Sequence, residues 1–94
     1  MAAAHRAPAH LDARGRGFWR AVTTDYELRP DELRVLEDAC RELDLIERLD
    51  AEQRDTALTV PGSHGQPVAA PLLGELRAHR ALLARLLNQL RLPD

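Results

Sequence analysis

Ser63 and His64 stand side by side in VPGSHGQPVAAPLLGEL, residues 60–76, a stretch that holds three prolines and three glycines. Serine beside histidine names a nucleophile and its base, and glycines before a helix name a phosphate cradle. Neither chemistry fits the spacing. Neighbours in sequence rarely face each other, and no carboxylate is positioned to orient the imidazole. A phosphate loop of the NTPase type needs GxxxxGK[ST], and GSHGQP has no lysine and a proline before any helix. The four histidines (His5, His10, His64 and His79) do not fall at metal-ligand intervals, and one cysteine, Cys40, builds no zinc cluster. The sequence therefore predicts no catalytic residue, no metal and no cofactor, and a chain that is not an enzyme.

The elements around that stretch carry more information. In GRGFWRAVTTDYEL, Phe18, Val22 and Tyr26 lie four apart, and Trp19 joins them at helical steps, which predicts a short helix over about 16–26. Pro30 opens the next segment at a position where its missing N–H is harmless, and Asp31 and Glu32 suit the first turn. Leu28 and Leu33 are spaced as a hydrophobic staple. Leu33, Leu36, Cys40, Leu43, Ile46 and Leu49 then recur at steps of three and four, predicting a helix over about 30–52. Glu37 with Arg41, and Asp44 with Arg48, read as ion pairs four apart on its outer face. Leu58–Val60 and Val68–Ala70 predict two short strands around PGSHGQ, with Ser63 and His64 at the tip. From Pro71 a last helix carries Leu73, Leu76, Arg80, Leu83, Leu87 and Leu90 at a three-four alternation, widened by Leu72, Leu82 and Leu86. Pro93 ends it.

These elements predict a mainly α fold: a short N-terminal helix and two long antiparallel helices joined by a small β-hairpin. Residues 1–13, small and polar, read as a flexible tail, and residues 14–94 as a single helical domain. Ninety-four residues lie near the lower limit for a self-sufficient core. The only aromatics, Phe18, Trp19 and Tyr26, fall within nine residues, so the rest of the core is aliphatic and oligomerisation is expected. The stripe from Leu73 to Leu90 is the expected oligomer interface. A lone cysteine implies no disulfide, and no apolar run reaches the roughly 20 residues of a membrane span. With no secretory h-region in MAAAHRAPAH, a cytoplasmic location is the default expectation.

Net charge is −2, with basic ends and an acidic middle: residues 21–70 hold twelve acids against five arginines. All thirteen basic residues are arginine, which coding bias explains most simply, although arginine also suits phosphate. Arg14, Arg16 and Arg20 line the aromatic helix and are the candidate DNA contacts. A net-acidic chain has no general attraction for DNA, but a ring of copies would multiply such a patch.

Two stretches resemble the small subunits of actinobacterial and phage terminases. GRGFWRAVTTDYELRPDELRVLEDACRELDLIERL resembles their first helices, and SHGQPVAAPLLGELRAHRALLARLLNQLRLPD their closing segment. The resemblance covers about residues 15–94. It implies a DNA-packaging component of a tailed phage or prophage, located in the bacterial cytoplasm. Such a subunit forms a homo-oligomeric ring, binds double-stranded viral DNA, and passes it to the large terminase subunit that holds the ATPase and nuclease. From another class comes the rival reading, a helical protein–protein module that masks a partner and has no DNA affinity.

Overall fold

The computed structural model describes residues 5–93, and its order of elements follows from the sequence pattern. Helix α1 spans Ala13–Asp25, α2 spans Pro30–Arg54 and α3 spans Pro71–Leu90; strands β1 (Thr59–Pro61) and β2 (Pro67–Ala69) lie between α2 and α3. A mainly helical chain with one small hairpin is thus what forms.

Arginine has no acceptor to cap α2, so Glu32 supplies the local capping bond. Its Oε1 accepts the Arg29 N–H at 2.8 Å, while the Arg29 guanidinium bonds Asp31. Leu36, Ala39 and Cys40 turn fully inward from α2. Leu36 and Cys40 meet Trp19 and Val22 of α1, Leu90 at the end of α3, and Leu11. Arg91 adopts the left-handed region at φ 50 and ends α3. The chain then folds back, Leu92 packs on the core, and the Tyr26 hydroxyl donates to the Pro93 carbonyl at 2.6 Å.

The core therefore sits at one end of a rod. The radius of gyration is 16.7 Å and the extents are 59 × 22 × 20 Å, whereas a compact chain of this length has a radius of about 12 Å. Beyond α1 the rod is the α2–α3 pair with the hairpin that joins it. There only Gln53, Ala70 and Leu76 are buried, and Leu45, Ile46, Leu49, Leu72, Leu73, Leu82 and Leu83 stay half-buried.

Residues 5–12 correct the expectation of a flexible tail over 1–13; residues 1–4 of that tail lie outside the described residues, and Ala13 already belongs to α1. Leu11 is only 3% exposed. The His5 carbonyl accepts the Trp19 indole N–H at 2.9 Å, and the Arg16 guanidinium donates to the Leu11 carbonyl at 2.8 Å. Satisfying the indole N–H is what allows Trp19 to be buried. Leu11 and Ala7, with the carbonyls of His5, Ala9 and Leu11 as acceptors, hold the polar segment against the core.

The hairpin pairs Thr59 with Ala69, Val60 with Val68 and Pro61 with Pro67. Bonds from the Ala70 N–H to the Leu58 carbonyl and from the Gly62 N–H to the Gln66 carbonyl flank this ladder. Pro61 and Pro67 thus face each other at a non-hydrogen-bonded pair, where a missing N–H breaks no ladder bond. Gly65, at φ +80, closes the tip in a conformation that favours glycine.

Candidate functional site

The arginines of α1 have three different fates. Arg14 reaches across to Glu47 of α2 at 3.3 Å. Arg16 is bound to the N-terminal segment through the carbonyls of Ala9 and Leu11. Arg20 is exposed and, among the described residues, has no ion-pair partner. One of the three candidate DNA contacts therefore has no ion-pair partner among the described residues, and the other two are engaged within the chain, Arg14 through an exposed pair.

The stripe on α3 is also divided. Leu76 and Leu90 are each 4% exposed and pack within the chain. Leu73 and Leu83 are half-buried, and Leu87 is exposed. Arg80 lies 3.5 Å from Asp50 of α2, so it bridges the two long helices. On the adjacent residue, His79 Nδ1 meets Glu42 Oε1 at 2.6 Å, with Glu75 at 3.6 Å on the other ring nitrogen. Periodicity on one helix did not reveal this crosslink, because it joins residues 37 positions apart.

Two ion pairs expected from spacing on α2 are not formed. Glu37 lies 3.4 Å from His10 and 3.8 Å from Arg34 rather than against Arg41. Asp44 does not pair with Arg48 on the outer face; it is 5% exposed and turned toward α1. Its two oxygens accept the N–H groups of Asp12 and Gly15, each at 2.7 Å. Asp12 occupies the N-cap of α1 without a side-chain capping bond. Asp44 caps that helix from the neighbouring one, placing negative charge where the helix dipole favours it. Position 44 lies one turn beyond Cys40, so the apolar stripe itself holds the clue to this carboxylate.

The close approach requires Gly15. A Cβ there would lie 2.5 Å from Asp44 Oδ2 and 2.6 Å from the Cys40 carbonyl oxygen. Beside this contact an open groove of about 710 Å³ is lined by Ala13, Gly17, Phe18 and Leu43, with Arg14 and Glu47 at its edge. A second, of about 430 Å³, runs between α2 and α3 over Leu45, Leu82 and Leu86.

Cys40 is fully buried. Burial pushes its thiol up to about 12, with Asp44 and Glu37 adding repulsion to any thiolate. Native Cys40 should therefore resist iodoacetamide at neutral pH and label only when the chain unfolds; fast labelling of the native protein would contradict its burial. Because the folded value exceeds the ordinary 9.0, the associated stability is intact below pH 9.0 and is lost as pH rises toward about 12. Ser63 and His64 are both exposed at the hairpin tip, and the His64 N–H donates to Gln66 Oε1 at 2.9 Å. Among the described residues no helix is long and apolar enough to cross a membrane, and no three His, Cys, Asp or Glu residues are grouped to hold a metal. Compared with protein-family models, curated proteins and solved structures, the chain matches none.

Proposed function

We propose that this chain is a non-enzymatic, homo-oligomeric adaptor of viral DNA packaging, of the small-terminase type. It binds double-stranded DNA and presents it to a large terminase subunit in the bacterial cytoplasm. The observation that carries the reading is the far half of the rod. Ile46 and Leu49 of α2, with Leu72, Leu73 and Leu83 of α3, are only half-buried. Covering such aliphatic surface contributes about 25 cal/mol per Å², so a helical arm of this kind favours assembly. The resemblance described above supplies the DNA-packaging context.

Arg20 is the basic residue of α1 best placed to reach phosphate without weakening the fold. DNA binding is expected to be salt-sensitive, and Arg20→Ala to lower the salt slope by about one without altering the helical spectrum. Titrations at several salt concentrations, alongside light scattering, provide the test. A monomer at high micromolar concentration would overturn the assembly reading, and an unchanged slope would remove Arg20 from the site. The protein–protein module keeps one specific observation in its favour: Arg14 and Arg16 are both engaged within the chain. It predicts no DNA binding even at low salt.

A further inference from the structure

Helix α2 carries a second seam besides the one that faces the core. Arg34, Asp38, Arg41, Leu45, Arg48 and Glu52 follow one another at steps of four and three, the spacing that keeps side chains on one stripe. None of them is buried. Leu45 sits in the middle of the stripe, and Leu82 and Leu86 of α3 lie beside it across the groove between the two helices. All three leucines are half-buried. Among the described residues Arg41, Arg48 and Glu52 have no ion-pair partner, and Arg34 and Asp38 pair only with neighbours on their own helix.

The order of charges along this stripe is self-complementary. From residue 34 to residue 52 it reads plus, minus, plus, apolar, plus, minus. Laid antiparallel against a second copy with Arg41 opposite Leu45, it sets Arg34 opposite Glu52 and Asp38 opposite Arg48. Two-fold symmetry forms each of these pairs twice. Sliding the register one step along the seam sets Arg34 against Arg48 in one direction and Asp38 against Glu52 in the other. Like charges then oppose both alternatives, which is how charge selects one alignment over its neighbours.

We propose that this face is the contact between two copies of the chain, related by a two-fold axis, with α2 antiparallel to its counterpart. At the centre Leu45 packs on the aliphatic stem of Arg41 of the other copy, flanked by Leu82 and Leu86, and the four ion pairs fix the register. The contact uses no residue of α1 and needs no DNA, so it stands apart from the DNA-binding part of the packaging reading.

The register makes a mixing experiment decisive. In Arg48→Glu the new carboxylate faces Asp38 of an identical copy, acid against acid. In Asp38→Arg the new guanidinium faces Arg48, base against base. Each variant should therefore lose self-association by about tenfold or more in dissociation constant. Mixed in equal amounts, the two variants bring opposite charges together again and should form a one-to-one heterodimer. Sedimentation equilibrium and native mass spectrometry read the species, and circular dichroism checks that the helices remain. A wild-type chain that stays monomeric at high micromolar concentration overturns the proposal. So do single variants that associate like wild type, or a mixture whose components stay apart. A protein that forms this dimer but binds no DNA overturns the packaging reading alone.

Discussion

Gly15→Ala is expected to lower the unfolding free energy by about 2–3 kcal/mol, whereas Gly17→Ala, two residues along the same helix, should raise it by about 0.5–1 kcal/mol. Both substitutions remove the entropic penalty of glycine in a helix. They differ in what a methyl group meets. At position 17 nothing lies within 4 Å, and the site opens onto the groove beside Phe18. At position 15 the methyl would press on a backbone carbonyl, that of Cys40, and on the Asp44 carboxylate. A flexible side chain can swing aside, but the carbonyl belongs to the middle of α2, so the helices must separate. That separation also stretches the bond from the Gly15 N–H to Asp44. For a domain of this size, with about 5–15 kcal/mol of total stability, the loss amounts to about 10–20 °C in melting temperature. Thermal and urea unfolding of the two variants side by side give the check. Similar gains in stability at both positions would mean that α1 does not cross α2 at Gly15.

The second large effect is expected at Asp44. Asp44→Ala leaves the part-buried N–H of Asp12 and the buried N–H of Gly15 without their acceptor and should cost about 2–4 kcal/mol. Arg48→Ala, the control on the exposed side, should stay within about 0.5 kcal/mol of wild type when both are unfolded at concentrations too low for two copies to associate. If the two residues formed the exposed pair that their spacing suggests, both replacements would have small and similar effects. Urea titrations separate these outcomes. The two large effects should also be less than additive. Removing the Asp44 carboxylate relieves one of the clashes created by Gly15→Ala, though not the clash with the Cys40 carbonyl, so the double variant should lose less than the two singles together.

Periodicity revealed α2 and α3 because each helix writes its buried face along its own sequence, as Leu33, Leu36 and Cys40 do for α2. The hairpin was legible for a similar local reason: Pro61, Gly62, Gly65 and Pro67 restrict backbone angles or widen them wherever they occur. Contacts between elements left weaker traces. Asp44 has a well-spaced partner four residues on, and only the approach of α1 shows why it turns the other way. Leu11 is a single leucine in a polar stretch, so composition alone assigned its segment to solvent. The arginines of α1 look alike in the sequence, yet Glu47 holds Arg14 and two carbonyls hold Arg16. Such distinctions depend on acceptors that are remote in sequence or belong to the backbone, and no residue pattern records those.

The facing prolines of the hairpin have a bearing on growth into larger structures. A two-stranded sheet has two open edges, and open edges are templates for cross-β addition. Here the outward-pointing positions are 59 and 61 on one strand and 67 and 69 on the other. Pro61 and Pro67 remove half of the outward amide donors, leaving Thr59 on one edge and Ala69 on the other. A third strand would find one donor per side, too few to zip. The projection can therefore carry exposed Leu58 and Val68 while refusing the backbone pairing that seeds fibrils.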